Sequence, residues 1–486
     1  MDFLLRVKQL SAGVLKDPGT RFMRDLAMLG LGQVGGKILI FLTFAYLARV
    51  LDPVGYGEVE FVIALTGLFV IICDLGLGPV GVRNWSGQSD ELARVVPMIR
   101  LILSLLAVPV MIFVASLVTD SNTALGLAIL FSVSIPVMAL NQNWIQQAIE
   151  RIDRVASGEF LRAAVFAALT ILLVGGTDDL FLIGAAEIVS VIVFVCFFLF
   201  MQRRVGVPVR IGGSRGASLA LTREALPLGA SNLIWGITYY VPPIIVTAFV
   251  GLFEAALFAA SLRLVVSVQS FSYIYHFNLF AALSRRFRQD PAAMAGLAQA
   301  SFRVLSWALI GPALLVAAVA GDVTAAIFGE PFRVAGPYLA VLIAALPIQF
   351  LAGHARWGLV AAGKNDAVFW AGLAGAVVSG IGLPVLTWWI GAMGAAIGVV
   401  LAALTIWIVA DAQARRLSLD LPFLTRAGGP IAAGVAAAAL TLVLPDWPWI
   451  IRAMLGMVLY CTLGGIFDRR ILPDLRHLAY AKSDVV

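Results

Sequence analysis

Charge is scarce in this sequence. Asp, Glu, Lys and Arg make up 13% of the 486 residues, against 61% hydrophobic residues, and mean hydropathy is +0.97. That balance excludes a water-soluble domain, whose surface needs about 25–35% charged side chains. Cysteine is rarer still. Cys73, Cys196 and Cys461 are far apart and all lie in apolar stretches, so they read as small core residues rather than disulfides or metal ligands. No GxxxxGK[ST] stretch occurs, which removes the phosphate loop of an ATP-driven pump. The net charge of +6 is not gathered into a soluble basic domain, and nucleic acid is not an expected partner.

What the chain has instead is apolar runs of about 20 residues, the length that crosses a bilayer as a helix. Fourteen candidate spans follow almost end to end, near 26–48, 57–78, 95–118, 122–145, 157–176, 179–201, 226–250, 254–283, 301–320, 336–362, 366–388, 391–413, 427–444 and 448–467. The eighth is long, and Pro242–Pro243 is expected to break or kink the seventh. Before the first span, Met1–Arg24 mixes basic and apolar residues without a small-residue cleavage site. It reads as an amphipathic segment on the cytoplasmic leaflet rather than a cleaved signal.

Basic residues orient this array. With the N-terminus inside, Arg203–Arg204–Arg210–Arg215, Arg285–Arg286–Arg288 and Arg415–Arg416 all fall in internal loops. Of the 34 basic residues, only Arg49 and Arg333 fall in external connections, which carry Asp120, Asp178–Asp179, Asp322 and Asp446 instead. An error of one span would reverse the sign of every later loop, so the expected topology has both termini cytoplasmic.

The two halves resemble each other. Leu47–Val62 closes the first span and opens the second, and Val246–Ser261 does the same for spans seven and eight. The two junctions are offset by six spans, an even number, so the repeats are parallel. The expected fold is an all-α polytopic membrane protein of fourteen helices, as two pseudo-symmetric six-helix bundles with a central cavity, plus two C-terminal helices. The bundles are 26–201 and 226–413, joined by a cytoplasmic linker at 202–225. The segment 1–25 precedes them, and the extra helices at 427–467 and a tail at 468–486 follow.

Against this apolar background the interior charges stand out. Lys37, Arg263 and Arg356 lie well inside spans, together with Asp74, Glu187, His276 and His354. A charge at the bilayer centre costs roughly 2.5–3.5 kcal/mol on insertion scales, so such residues usually face a wet path. Gln33, Lys37 and Phe44 share a helical face. Arg263 shares one with Ser267 and Ser270, and Arg356 with Gln349 and Gly353, while His276 and His354 point away from these arginines and read as core. Asn232, Trp235, Tyr239 and Pro242 line one side of the seventh span. Glu60 and Asp74 fall on nearly one face and are candidate ion-coupling groups, against ion pairs with Lys37 or Arg83. Glu187, alone in the sixth span, is a third candidate, and Glu159 with Arg162 reads as a local i, i+3 pair.

The run ARVLDPVGYGEVEFV (Ala48–Val62) followed by DLGLGPVGVRN (Asp74–Asn84) resembles the opening of polysaccharide flippases. These O-antigen (Wzx-type) transporters belong to the multidrug/oligosaccharidyl-lipid/polysaccharide exporter superfamily. GLFEAALFAASLRL (Gly251–Leu264) and the segment Gly358–Ala402 are similar to that family's later signatures, so the resemblance covers about residues 22–413 in order.

The resemblance implies a flippase of the bacterial inner membrane. Its cargo would be an undecaprenyl-pyrophosphate-linked oligosaccharide of O-antigen, capsule or exopolysaccharide type. It would act as a monomer by alternating access on a proton or sodium gradient, with no other cofactor and no enzymatic step, and would meet membrane lipids, a polysaccharide polymerase and a chain-length regulator as partners. Lys37, Arg263 and Arg356 then suit the pyrophosphate. Arg83 suits the cytoplasmic mouth, and Gln33, Asn232, Trp235 and Tyr239 suit the glycan. A lipid II flippase and a multidrug antiporter of the same superfamily are the nearest alternatives. A multidrug exporter would favour carboxylates where this chain has cations. A membrane-embedded glycosyltransferase would need a large external loop, and the longest here is about 15 residues near Gly321–Ala335.

Overall fold

The computed structural model describes residues 18–86, 90–417, 419–445, 447–468, 470–471 and 473–474, with side chains from 34 onward except at 90, 273, 274, 289, 291, 424 and 425. Most of the expected N-terminal amphipathic segment, together with Asp446, therefore lies outside the described residues. The described chain is helical, with no strand. In order the helices are α1 (Pro18–Val50), α2 (Pro53–Asp74), α3 (Leu77–Asn84), α4 (Asp90–Val118), α5 (Asn122–Ala139), α6 (Asn143–Ala148), α7 (Ile152–Leu173), α8 (Leu180–Arg204), α9 (Arg215–Val250) and α10 (Leu252–Gln289). They continue with α11 (Pro291–Ala318), α12 (Ala320–Phe328), α13 (Gly336–Leu342), α14 (Ala345–Ala361), α15 (Asn365–Val377), α16 (Leu383–Ile390), α17 (Ala392–Arg416), α18 (Gly428–Val443) and α19 (Trp449–Phe467). A π-helical turn, Val378–Gly382, joins α15 to α16.

Twelve segments among the described residues are long and apolar enough to cross a membrane. Each coincides with one of the spans read from the sequence. The other two spans correspond to α1 and to α18, a shorter apolar helix of 16 residues. This is a multi-pass membrane protein whose described residues hold twelve spanning helices, together with the long helix α1 and the shorter α18. The outward surface agrees: Leu172, Trp389 and Val443 are 79%, 78% and 82% exposed, a cost in water but not in hydrocarbon.

The described residues form two compact units. The first is drawn from Met1–Phe44, Phe69–Phe113 and Gly126–Ala230, the second from Ala45–Leu68, Val114–Leu125 and Ser231–Val486. Lipid tails are as apolar as leucine, so helices in each unit must be held by close packing and polar contacts. In the first unit, Gly36 of α1 lies where an added Cβ would sit 3.6 Å from the Cα of Phe160 and 3.7 Å from the Cβ of Ala163, drawing α1 against α7. The DLGLG segment is a break between helices. Leu75 has φ 48° and Gly76 φ 77°, and Gly76 presses on the backbone of Ala225–Gly229, which a side chain would prevent.

In the second unit, Gly57 of α2 rests on the Leu252 carbonyl and on Ala256 of α10, so the two repeated helix openings pack directly on each other. Farther along, α17 presents Ala392, Ala395, Ala396, Ala402 and Ala403 as a buried seam, and Trp407, Phe302 and Leu359 fill an adjoining core.

Three expectations change here. The Pro242–Pro243 pair does not break its helix, because α9 runs on through both prolines to Val250. Each proline forfeits one backbone donor, and neighbouring helices in a membrane protein absorb that loss. Cys196 and Cys461 are exposed rather than core residues, and only Cys73 is buried. The second span ends at the Leu75–Gly76 turn and resumes as the short helix α3.

Candidate functional site

A buried arginine needs a partner, and the structure supplies one for most of the arginines inside the spans. Arg263 forms a bidentate pair with Glu60, Nε to Oε1 and Nη2 to Oε2 both at 2.5 Å. Arg162 of α7 donates to Glu187 of α8 at 2.6 Å, and Ser190 also donates to that carboxylate at 3.3 Å. Arg100 of α4 pairs with Asp74 and donates to the Asn141 carbonyl at 2.9 Å. Arg452 reaches Asp322 at 3.4 Å.

These contacts revise several readings. Glu187 is not alone. Arg162 turns to it rather than forming an ion pair with Glu159. Asp74 meets Arg100 instead of Lys37 or Arg83, while Arg83 pairs with Glu224 at the exposed end of α3. Glu60 and Asp74 are each held by a different arginine, in a different unit. Ser267 and Ser270 do not extend Arg263 into a polar ladder, because their hydroxyls donate to carbonyls of their own helix at 2.7 Å.

Lys37 differs. It is exposed, it lies roughly 20 Å along α1 from Val50 at 1.5 Å per residue, and among the described residues it makes no ion pair or hydrogen bond. An ammonium facing hydrocarbon at that depth is costly, and cations at such positions usually face a water-filled path. Glu159 of α7 is within electrostatic reach, yet it too forms no ion pair or hydrogen bond among the described residues. Phe44, expected on the same face, is buried against Phe166. Gln33 lies on α1, but its side chain is outside the described residues.

In the second unit the structure assembles three of the expected residues. The Arg356 guanidinium stacks over Trp235 at 4.3 Å and lies 5.6 Å from the Trp357 ring. Tyr239, one helical turn beyond Trp235, accepts a hydrogen bond from Gln269 at 2.6 Å and lies within electrostatic reach of Arg356. Asn232, three residues before Trp235, is exposed. The group combines a planar cation, three aromatic side chains and amides, a set suited to polar rings and anions.

The histidines are core residues, as expected. His276 is 2% exposed and His354 is fully buried, with their rings 5.8 Å apart. His276 Nε2 contacts the Phe350 carbonyl at 2.9 Å and its ring fills the notch at Gly353, on the stripe of Arg356 rather than away from it. His354 Nε2 meets the Ser301 hydroxyl at 2.9 Å. No cluster of three metal-ligating side chains occurs among the described residues.

Sequence reasoning missed two participants. Arg100 lies near the start of the third span, between Met98–Ile99 and Leu101–Ile102, with no local signal of its partner. Gln269 lies on the opposite side of α10 from the Arg263 stripe that drew attention.

The fold is similar to that of the lipid II flippase MurJ in an inward closed conformation. The TM-score is 0.71 over 92% of this chain and 100% of that one, at 12% identity. A MATE transporter in complex with MaL6 aligns at a TM-score of 0.52 and 16% identity, covering 81% of this chain and 96% of that one. A MOP superfamily transporter from Pyrococcus furiosus aligns at 0.50 and 15%, covering 81% and 95%. At such identities the likeness speaks to fold alone. No curated protein matches the chain in sequence. The model of the polysaccharide biosynthesis protein family matches residues 22–286, more than half of the length. That match, over more than half of the chain, places it in the polysaccharide biosynthesis protein family.

Proposed function

We propose that this protein is a flippase that moves a lipid-pyrophosphate-linked oligosaccharide across the bacterial inner membrane, not an enzyme that modifies it. The observation that carries the reading is Lys37, an exposed cation deep in an apolar helix, without an ion pair among the described residues. A transporter of cationic drugs would gain nothing from such a group, whereas an anionic head group gains a charge-assisted contact. Membership of a polysaccharide biosynthesis family supports a glycan as the cargo.

In this reading Lys37 holds the pyrophosphate. Trp235, Tyr239, Gln269 and Arg356 offer stacking and amide contacts to sugar rings. Asn232 lies on the approach to them, and Arg83 lies at the cytoplasmic end of its unit. The lipid tail remains in the bilayer. Arg263 is reassigned from ligand to structure, because its charge is already met by Glu60. Both termini are cytoplasmic, and an ion gradient drives alternating access.

Deleting the gene and analysing lipid-linked oligosaccharides tests this reading. The expected result is accumulation of one such species on the inner leaflet, reversed by the wild-type gene but not by Lys37→Ala. Absence of any accumulated species, or full rescue by Lys37→Ala, would overturn it.

A further inference from the structure

The three carboxylates expected to couple transport to an ion are all engaged. Asp74 is held by Arg100, Glu60 by Arg263, and Glu187 by Arg162 and Ser190. The carboxylate that stands open inside a span is Glu159, half-buried on α7 and without a hydrogen bond or ion pair among the described residues. It lies roughly 21 Å along α7 from Leu173, a distance that matches the roughly 20 Å between Lys37 and Val50 on α1. The close approach of Gly36 to Phe160 brings the two helices together at this level.

The charged groups around Glu159 are few. Lys37 faces it from α1 and Arg162 from its own helix, each within electrostatic reach. On α8, Glu187 is bound to Arg162 and Arg203 and Arg204 stand in the last turn, while α6 carries no charged residue. Arg162 is shared with Glu187, so of the two cations in reach of Glu159, Lys37 is the one that has no carboxylate at ion-pair distance among the described residues. The two charges attract across a gap that neither closes.

We propose that Glu159 is the internal counter-anion of Lys37, and that an anionic head group competes with it for the same ammonium. This rests on the reading of Lys37 as the pyrophosphate contact. An ionised Glu159 repels an arriving anion and offsets the field of Lys37, so it weakens binding and favours release. Protonation of Glu159 removes both effects. By linkage, whatever proton binding does for the anion, anion binding does for the proton. Head-group binding at Lys37 therefore draws a proton onto Glu159, and affinity rises as pH falls. Glu159 is a positioning residue for the cation, not a ligand of the cargo.

The test uses farnesyl pyrophosphate as a soluble anionic probe on the purified full-length protein, by calorimetry from pH 6 to 8 in buffers of different ionisation enthalpy. Glu159→Gln is expected to bind the probe more tightly than wild type at pH 8, by a factor on the order of ten. It is also expected to take up fewer protons on binding than wild type, once the probe's own titration is common to both. Glu159→Asp keeps a carboxylate and should restore proton uptake, which separates the charge from any packing role.

If the wild type binds, Lys37→Ala does not, and Glu159→Gln matches wild type in affinity and proton uptake, the counter-anion role fails while the cation reading stands. If Lys37→Ala binds as well as wild type, or the wild type does not bind, the cation reading fails and takes this one with it. A Glu159→Gln protein that elutes as an aggregate leaves Glu159→Asp to decide. Wild-type affinity with lost proton uptake in that variant counts against the proposal.

Discussion

Arg263 and Glu60 are 203 residues apart in sequence and form a fork-to-fork ion pair with both contacts at 2.5 Å, joining α10 to α2 beside the Gly57–Leu252 packing seam. The pair is largely buried, with the arginine side chain 17% exposed and the glutamate 7%. Its charges cancel in place, so in the proposed reading Arg263 holds two helix openings together rather than meeting the cargo.

Removing one member of that pair strands the other. A buried pair broken on one side typically costs about 3–5 kcal/mol, whereas replacing both members with apolar residues of similar size is often close to neutral. Glu60→Met and Arg263→Met should each lower the unfolding temperature of the purified protein clearly. The double variant should recover most of the loss. A double variant as unstable as the sum of the singles would show that the pair is not the reason for either residue.

Exposure inside a membrane means water in one place and lipid in another, and chemistry separates them. Lys37 and Leu172 are both exposed, but only Lys37 is expected to be wet. In a background without Cys73, Cys196 and Cys461, Lys37→Cys should react with a charged methanethiosulfonate, because the reactive thiolate forms only where water reaches. Leu172→Cys should remain unlabelled. Equal labelling of both, or of neither, would remove the distinction.

Arg356 acts through its planar face over Trp235. Lysine carries the same charge without that face, so Arg356→Lys is not conservative here. A cation–π contact is worth about 0.5–2 kcal/mol, or roughly a 2- to 30-fold effect. In proteoliposomes, kcat/KM for a lipid-linked oligosaccharide should fall by that order in Arg356→Lys and in Trp235→Ala. A drop in Arg356→Lys with none in Trp235→Ala would mean that the charge acts without the ring.

The spans of this protein were plain from sequence because bilayer thickness imposes one length on every spanning helix. The twelve long apolar helices among the described residues each follow from that rule. The partners of the interior charges did not follow. A helical wheel tells which way Asp74 or Glu187 points along its own axis, but not which helix stands opposite. Arg162 had Glu159 in reach on its own helix and took Glu187 on the next. Asp74 had Lys37 and Arg83 as expected partners and took Arg100. Lys37 was legible as unusual because no local partner existed, and the structure leaves it so among the described residues.

The most direct measurement is the rate at which proteoliposomes carrying the purified protein move a polyprenyl-pyrophosphate-linked oligosaccharide between leaflets. The account predicts that Lys37→Ala abolishes this movement and Lys37→Arg preserves a substantial part of it, with both proteins folded and monodisperse. Movement at the wild-type rate in Lys37→Ala would contradict it.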